Sequence, residues 1–223
     1  MSRKVVRLTV DHLAELPGPC GRCLFWELDP VRRARVAPVE VAAEKEGWVS
    51  EVLREWGSCG RVVLVDDRPV GYVVYAPAAF VPGAAGFPTA PVSPDAVLLT
   101  TAYVEPGLAR GGLGRVLVQG MARDLISRGT RAVEAFGHHD RLPHRAGCVL
   151  PVGFLGGVGF KTQRAHPVTP RLRMELRTAL TWRDEVEVAL ERLLGAVRPA
   201  PARAPRPTPT TTRSPSPRAT GTG

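Results

Sequence analysis

The apolar positions change period several times along the chain, and each change marks an element. Val5, Val6, Leu8 and Val10 predict a first strand. Asp11 is placed to cap a short helix through Leu16, which Pro17 and Gly18 then stop. From Val41 to Trp56 the period becomes helical. Trp48, Val49, Val52, Leu53 and Trp56 share one face, and Glu44, Glu46, Glu51 and Glu55 fall mostly elsewhere. Arg61 to Asp66 and Val70 to Ala76 predict two strands joined around Asp67-Arg68-Pro69, a hairpin pattern. Val97, Leu98, Leu99 and Val104 then form a near-continuous apolar run with Thr and Tyr, as a buried strand does. Gly107, Gly111, Gly112 and Gly114 crowd the turn after it. Leu113, Leu117 and Met121 recur one helical turn apart beyond that turn, and Gly129 supplies a helix stop.

Ala132, Val133 and Phe136 predict a fifth strand, Cys148 to Val158 a partly helical stretch, and Lys161–Ala165 with Leu172–Leu176 a closing strand pair. Thr181 is placed to cap a last helix, Trp182 to Val197, which packs on the domain or makes a homodimer contact. Two segments have no apolar period. Pro77 to Asp95 carries five prolines, and a loop of that length inside a compact domain is mobile, functional or surface slack. Arg198 to Gly223 has seven prolines and no large apolar residue, which predicts disorder. The expected organisation is a domain over residues 1–197 and a tail over 198–223.

Charge changes this picture little. The 223 residues carry a formal net charge of +9. Five arginines lie in the last 26 residues with no acid, so removing them leaves +4 for the body, and no specific nucleic-acid groove is predicted. No apolar run reaches the length of a membrane span, and MSRKVVRLTV lacks a signal-peptide core, which points to the cytoplasm. Three lysines against abundant Arg, Ala, Gly and Pro suggest a GC-rich bacterial genome of the actinobacterial kind. Of the four cysteines, Cys20 and Cys23 have C-x-x-C spacing, which serves zinc and redox sites. A zinc site needs about four ligands. Cys59 and Cys148 stand alone in sequence, so buried thiols are the favoured expectation and no metal is expected.

The glycine-rich turn is where chemistry concentrates. A helix start leaves N–H groups without partners and carries partial positive charge. Glycines let an anion approach those groups, and Arg110 and Arg115 add full charges, which makes a phosphate cradle. A Walker-type loop would need Lys and then Ser or Thr after Gly114, but Arg115 and Val116 follow. A dinucleotide fingerprint would need Gly at Leu117. Ala109-Arg110-Gly111-Gly112-Leu113-Gly114 instead resembles the [Gln/Arg]-x-x-Gly-x-[Gly/Ala] motif of the Gcn5-related N-acetyltransferases, with Ala109 in the place of Gln or Arg.

That resemblance covers roughly residues 4–177 and has several implications. The fold would be α/β, a mixed, mostly antiparallel sheet flanked by helices, with the fourth and fifth strands splayed apart. The co-substrate would be acetyl-CoA, its diphosphate held by residues 109–115 and its pantetheine arm paired with Ala102, Tyr103 and Val104. The reaction would be acetyl transfer to an amine acceptor by direct attack in a ternary complex, with the Val104 N–H polarising the carbonyl. Glu105 is the first candidate base, followed by Glu134 and His138. Many members place a Tyr four residues before the Gly of a late Gly-Phe pair; here that position is Leu155. The alternative is a non-catalytic acyl-CoA-binding module. The acceptor groove would be built by residues 20–40, 77–95 and 137–147, with Trp48 and Trp56 in the core or along the groove.

Overall fold

The structure, a computed structural model, describes residues 2–109, 111–139 and 148–176. Arg110, the stretch 140–147 with His144, the expected last helix and the expected tail lie outside the described residues.

Eight strands form one sheet: β1 (Arg3–Arg7), β2 (Gly60–Val65), β3 (Arg68–Pro77), β4 (Ala96–Val104), β5 (Ala132–His138), β6 (Leu150–Pro151), β7 (Lys161–Arg164) and β8 (Arg171–Glu175). Their order is β1-β2-β3-β4-β5-β8-β7, with the two-residue β6 paired to β5. All neighbours are antiparallel except β4 with β5 and β5 with β6. Among the described residues four α-helices flank the sheet: α1 (Pro30–Arg33), α2 (Val41–Glu55), α3 (Leu113–Ser127) and α4 (Val152–Gly157).

Period-two side-chain alternation sorts the core into two layers. On one face Tyr72, Val74, Leu98 and Phe136 pack with Leu8, Trp26, Val49 and Val52, under α2. On the other, Val73, Tyr75, Leu99 and Val133 pack with Leu117, Met121, Leu125 and Leu155, under α3 and α4. Central strands covered on both faces are apolar at nearly every position, which is why the β4 run reads as continuous. Each fully buried Leu contributes roughly 1.5–3 kcal/mol of transfer free energy.

Three local expectations are corrected. The first turn after β1 is a 3-10 helix, Val10–Glu15, and its cap is Thr9, not Asp11. The Thr9 N–H donates to His12 Nδ1 at 3.2 Å, and the Thr9 Oγ1 lies 2.8 Å from the same nitrogen. The β2–β3 turn is Asp66-Asp67, both at positive φ (48° and 64°), with Val65 opposite Arg68. Two positive φ values mark the turn whose twist matches a hairpin, and Asp tolerates them better than most residues. The proline-rich stretch 77–95 is packed, not slack. It makes two 3-10 turns, Ala78–Phe80 and Pro82–Gly86. Phe87 stacks on Phe136 at 4.3 Å and on Trp26 at 5.2 Å, and Val81 is buried. The hairpin, α2 and α3 fall where the apolar period puts them, and the closing strand pair falls at its expected place.

Candidate functional site

β4 and β5 pair over three positions only, Ala96–Ala132, Val97–Val133 and Leu98–Glu134. Beyond Leu98, β4 continues along β3 to Val104, and β5 continues along β8 and β6 to His138. The two strands are parallel, so their parted carboxyl ends open at the same end of the sheet. Main-chain groups of β4 face that opening. The Glu105 N–H bonds Val70 O at 2.9 Å, and Gly71 stands opposite Val104. Antiparallel pairs alternate between bonded and unbonded, so the polar groups of Ala102 and Val104 turn away from β3, toward the gap.

The chain leaves β4 through Glu105, makes a 3-10 turn at Pro106–Leu108, and enters α3 through Gly112. Gly112 caps the helix at φ 77°, a left-handed conformation that a Cβ disfavours. The first intrahelical bond runs from the Val116 N–H to Gly112 O at 3.2 Å. The amides of Leu113, Gly114 and Arg115 thus lie in the turn that helix geometry leaves without helical acceptors. Gly114 has a further reason to be glycine: a Cβ there would stand 3.0 Å from Cε2 of Phe154, on α4. Gly107 would meet nothing within 4 Å, so packing gives no reason for it. The Arg115 guanidinium donates to Gly157 O at 2.9 Å and ties α3 to the end of α4.

The candidate bases differ in surroundings. Glu105 accepts both Arg68 guanidinium nitrogens, at 2.6 and 2.7 Å. Those bonds hold its carboxyl below the usual carboxylate range. Glu134 is fully buried, with Arg173 at 3.2 Å, Arg171 at 3.3 Å and the Ser93 N–H at 3.1 Å around it. It sits at the last paired position between β4 and β5 and fastens β5 to β8. Both carboxylates already hold ionic partners. His138 ends β5 at the open side, half-exposed, with Nδ1 3.3 Å from His139 O. Leu155 is completely buried in the α3 face of the core.

A second polar group lies near the end of β4. A Cβ on Gly18 would come 2.5 Å from Cε2 of Tyr103, so the backbone at Gly18 runs against that ring. The Tyr103 ring lies 5.8 Å from that of Tyr72, whose buried hydroxyl has no hydrogen-bond partner. Burial pushes the Tyr72 phenol upward, and the Cys20 and Cys23 thiols act on it in the same direction. Lys45 and Glu27 form a buried ion pair, and Lys45 Nζ also donates to Cys23 O at 3.1 Å. Cys23 Sγ is 3.4 Å from Cys148 Sγ. Sequence spacing gave no sign of this meeting, because the two lie 125 residues apart. The visible hint of a buried partner was Lys45 on the same helix face as Val41, Trp48 and Val49.

Of the two tryptophans of the α2 stretch, Trp48 is buried and donates to Phe80 O at 2.7 Å. Trp56 meets Tyr75 edge-on at 6.1 Å, under the Arg128 guanidinium. An open cleft of about 570 Å³ runs along α2, edged by Arg32, Glu40, Glu44, Trp48, Glu51 and Arg54. None of its walls comes from β4 or α3.

The sequence matches no protein-family model and no curated protein. Among solved structures, the chain is similar to the PaiA N-acetyltransferase from Thermoplasma acidophilum in complex with coenzyme A. The TM-score is 0.50 at 10% identity, over 78% of this chain and 99% of that one. It is also similar to the loading GNATL domain of CurA from Lyngbya majuscula (TM-score 0.49, 11% identity, 79% and 98% covered). A further similar structure is the ribosomal-protein-S18-alanine N-acetyltransferase from Escherichia coli (TM-score 0.45, 12% identity, 78% and 94% covered). The mixed sheet flanked by helices is thus a fold shared with the PaiA N-acetyltransferase. Among the described residues no helix is long and apolar enough to cross a membrane.

Proposed function

We propose that the protein belongs to the Gcn5-related N-acetyltransferases and moves an acetyl group from acetyl-CoA to an amine. One observation carries the proposal: β4 parts from β5 after Leu98, and the next long element is a helix whose start is capped by Gly112. An acyl-pantetheine arm is a thin chain of amides ending in a thioester. It fits a gap whose β4 edge offers the main-chain groups of Ala102 and Val104. The diphosphate at its other end suits the helix-start amides of residues 113–115. The CoA complex of the structurally similar PaiA enzyme supports the same ligand here.

The residues would act mainly by positioning. The Val104 N–H would donate to the thioester oxygen as negative charge develops on it. His138, half-exposed at the open end of β5, is the proposed base for the incoming ammonium, because an imidazole nitrogen placed there can accept its proton. Glu105, gripped by Arg68, would serve only through water. With Leu155 at the late tyrosine position, the departing thiolate would take its proton from water or the acceptor.

The test is acetyl-CoA turnover, followed by thiol release, across a panel of small amines and peptide N-termini. Turnover that falls at least tenfold in His138→Ala, with acetyl-CoA affinity unchanged, is the expected result. Binding of acetyl-CoA with no turnover on any amine would instead indicate a non-catalytic acyl-CoA-binding module.

A further inference from the structure

We infer that Cys20, Cys23 and Cys148 form a peroxide-reactive thiol relay that ends in a Cys23–Cys148 disulfide. The C-x-x-C spacing names Cys20 and Cys23 as the obvious pair, but the fold joins both to a third sulfur. Cys148 lies 3.4 Å from Cys23 and also hydrogen-bonds Cys20. A disulfide needs its sulfurs at about 2.05 Å, so a movement of about 1.4 Å suffices. The backbones are already held together. Trp26 Nε1 donates to Cys148 O at 2.8 Å, and Lys45, buried with Glu27, donates to Cys23 O. The unpartnered Tyr72 hydroxyl adds a buried polar group near these thiols. Cys20 is buried, but Cys23 and Cys148 beside it are partly exposed, so a small oxidant has a way in.

The three sulfurs are not equivalent. The Cys148 hydrogen bond lowers the Cys20 thiol against the opposing effect of burial, and Lys45 adds to the lowering. Cys23 is pushed up by donating to Cys148 and by burial, and Cys148 is raised by its bond to Cys20. Cys20 is therefore the thiolate that meets the oxidant. Its sulfur attacks a hydroperoxide oxygen; the O–O bond breaks, an alcohol or water leaves, and Cys20 becomes a sulfenic acid. The Cys148 thiol attacks that sulfur, expelling water and forming a Cys20–Cys148 bond. Cys23 then attacks Cys148, and Cys20 departs as the most acidic thiol, the best leaving group of the three. The net change consumes two thiols and one hydroperoxide and gives one disulfide, one alcohol (water, for hydrogen peroxide) and one water. The product staples the segment over Tyr103 to the chain entering β6, across the parted strands. The chemistry does not depend on acetyl transfer.

The test uses the reduced full chain and one equivalent of hydrogen peroxide, with thiol counting and peptide mapping. Two of the four thiols should disappear, and a Cys23–Cys148 peptide should form and revert with reductant. Cys59 is pushed up to about 12 by burial, so Cys59→Ser should behave as the parent. Cys20→Ser should slow thiol loss at least tenfold, and Cys148→Ser should leave a sulfenic acid on Cys20 that a cyclic dione traps. Melting curves accompany each variant; if one fails to fold, the map of the parent chain decides. A Cys20–Cys23 link, four surviving thiols, an unchanged rate in folded Cys20→Ser, or stoichiometric zinc in the purified chain would each overturn the relay.

Discussion

Gly112 is where backbone conformation and proposed ligand chemistry meet. Its φ of 77° is the left-handed value at which a Cβ costs about 1–2 kcal/mol. For a chain of this size Gly112→Ala should lower the melting temperature by roughly 2–8 °C. Gly107→Ala, in open space, should change it by less than about 2 °C. Asp124 on α3 sets a second residue-scale expectation. It accepts from Tyr75 Oη at 2.8 Å and pairs with Arg61 at 2.6 Å and Arg128 at 3.3 Å. Burial raises its carboxyl, but the Ser58 and Tyr75 hydrogen bonds and the two arginines prevail and hold it below its ordinary value. A folded pKa below the unfolded one contributes stability above the unfolded value, about 3.9, that is lost as pH falls through the folded value. Asp124→Asn should therefore cost about 3 kcal/mol at neutral pH, by stranding Arg61. It should also flatten the acid limb below about pH 4 in denaturant melts taken across pH.

Among the elements, α3 and α4 meet with little room to adjust. Gly114 faces the Phe154 ring, and Arg115 reaches Gly157 O beside it. Gly114→Val should overpack that contact and cost about 1–3 kcal/mol. Phe154→Ala in the same chain should recover part of the loss, a coupling that a double-mutant cycle measures. The long helices α2 and α3 and the central strands were legible because each has one dominant pattern. Short-range choices were less so. Thr9 displaced Asp11 as cap because the His12 ring was free to bond its amide. The stretch 77–95 could be mobile, functional or slack on sequence alone because its apolar residues have no period. Phe87 reaches Trp26 and Phe136 through tertiary stacking, which periodicity does not report.

At the scale of the molecule, two helix layers clamp one sheet, and the proposed site sits where the sheet stops being continuous. The glycine-capped helix start was visible in sequence because glycines crowd the turn just before the helical period begins at Leu113. The surroundings of the acidic candidates were not. Glu134 meets Arg171 and Arg173 only because β8 returns beside β5, and Glu105 meets Arg68 only because β3 lies beside β4. Cys148 reaches Cys23 by the same kind of long-range closure.

Titration calorimetry of the folded chain with acetyl-CoA tests the central claim most directly. One molecule should bind per chain with measurable heat, and Gly112→Glu, checked for native melting, should weaken it at least tenfold by setting a carboxylate against the diphosphate. No heat from the folded parent chain, or equal affinity in the folded variant, would contradict the account.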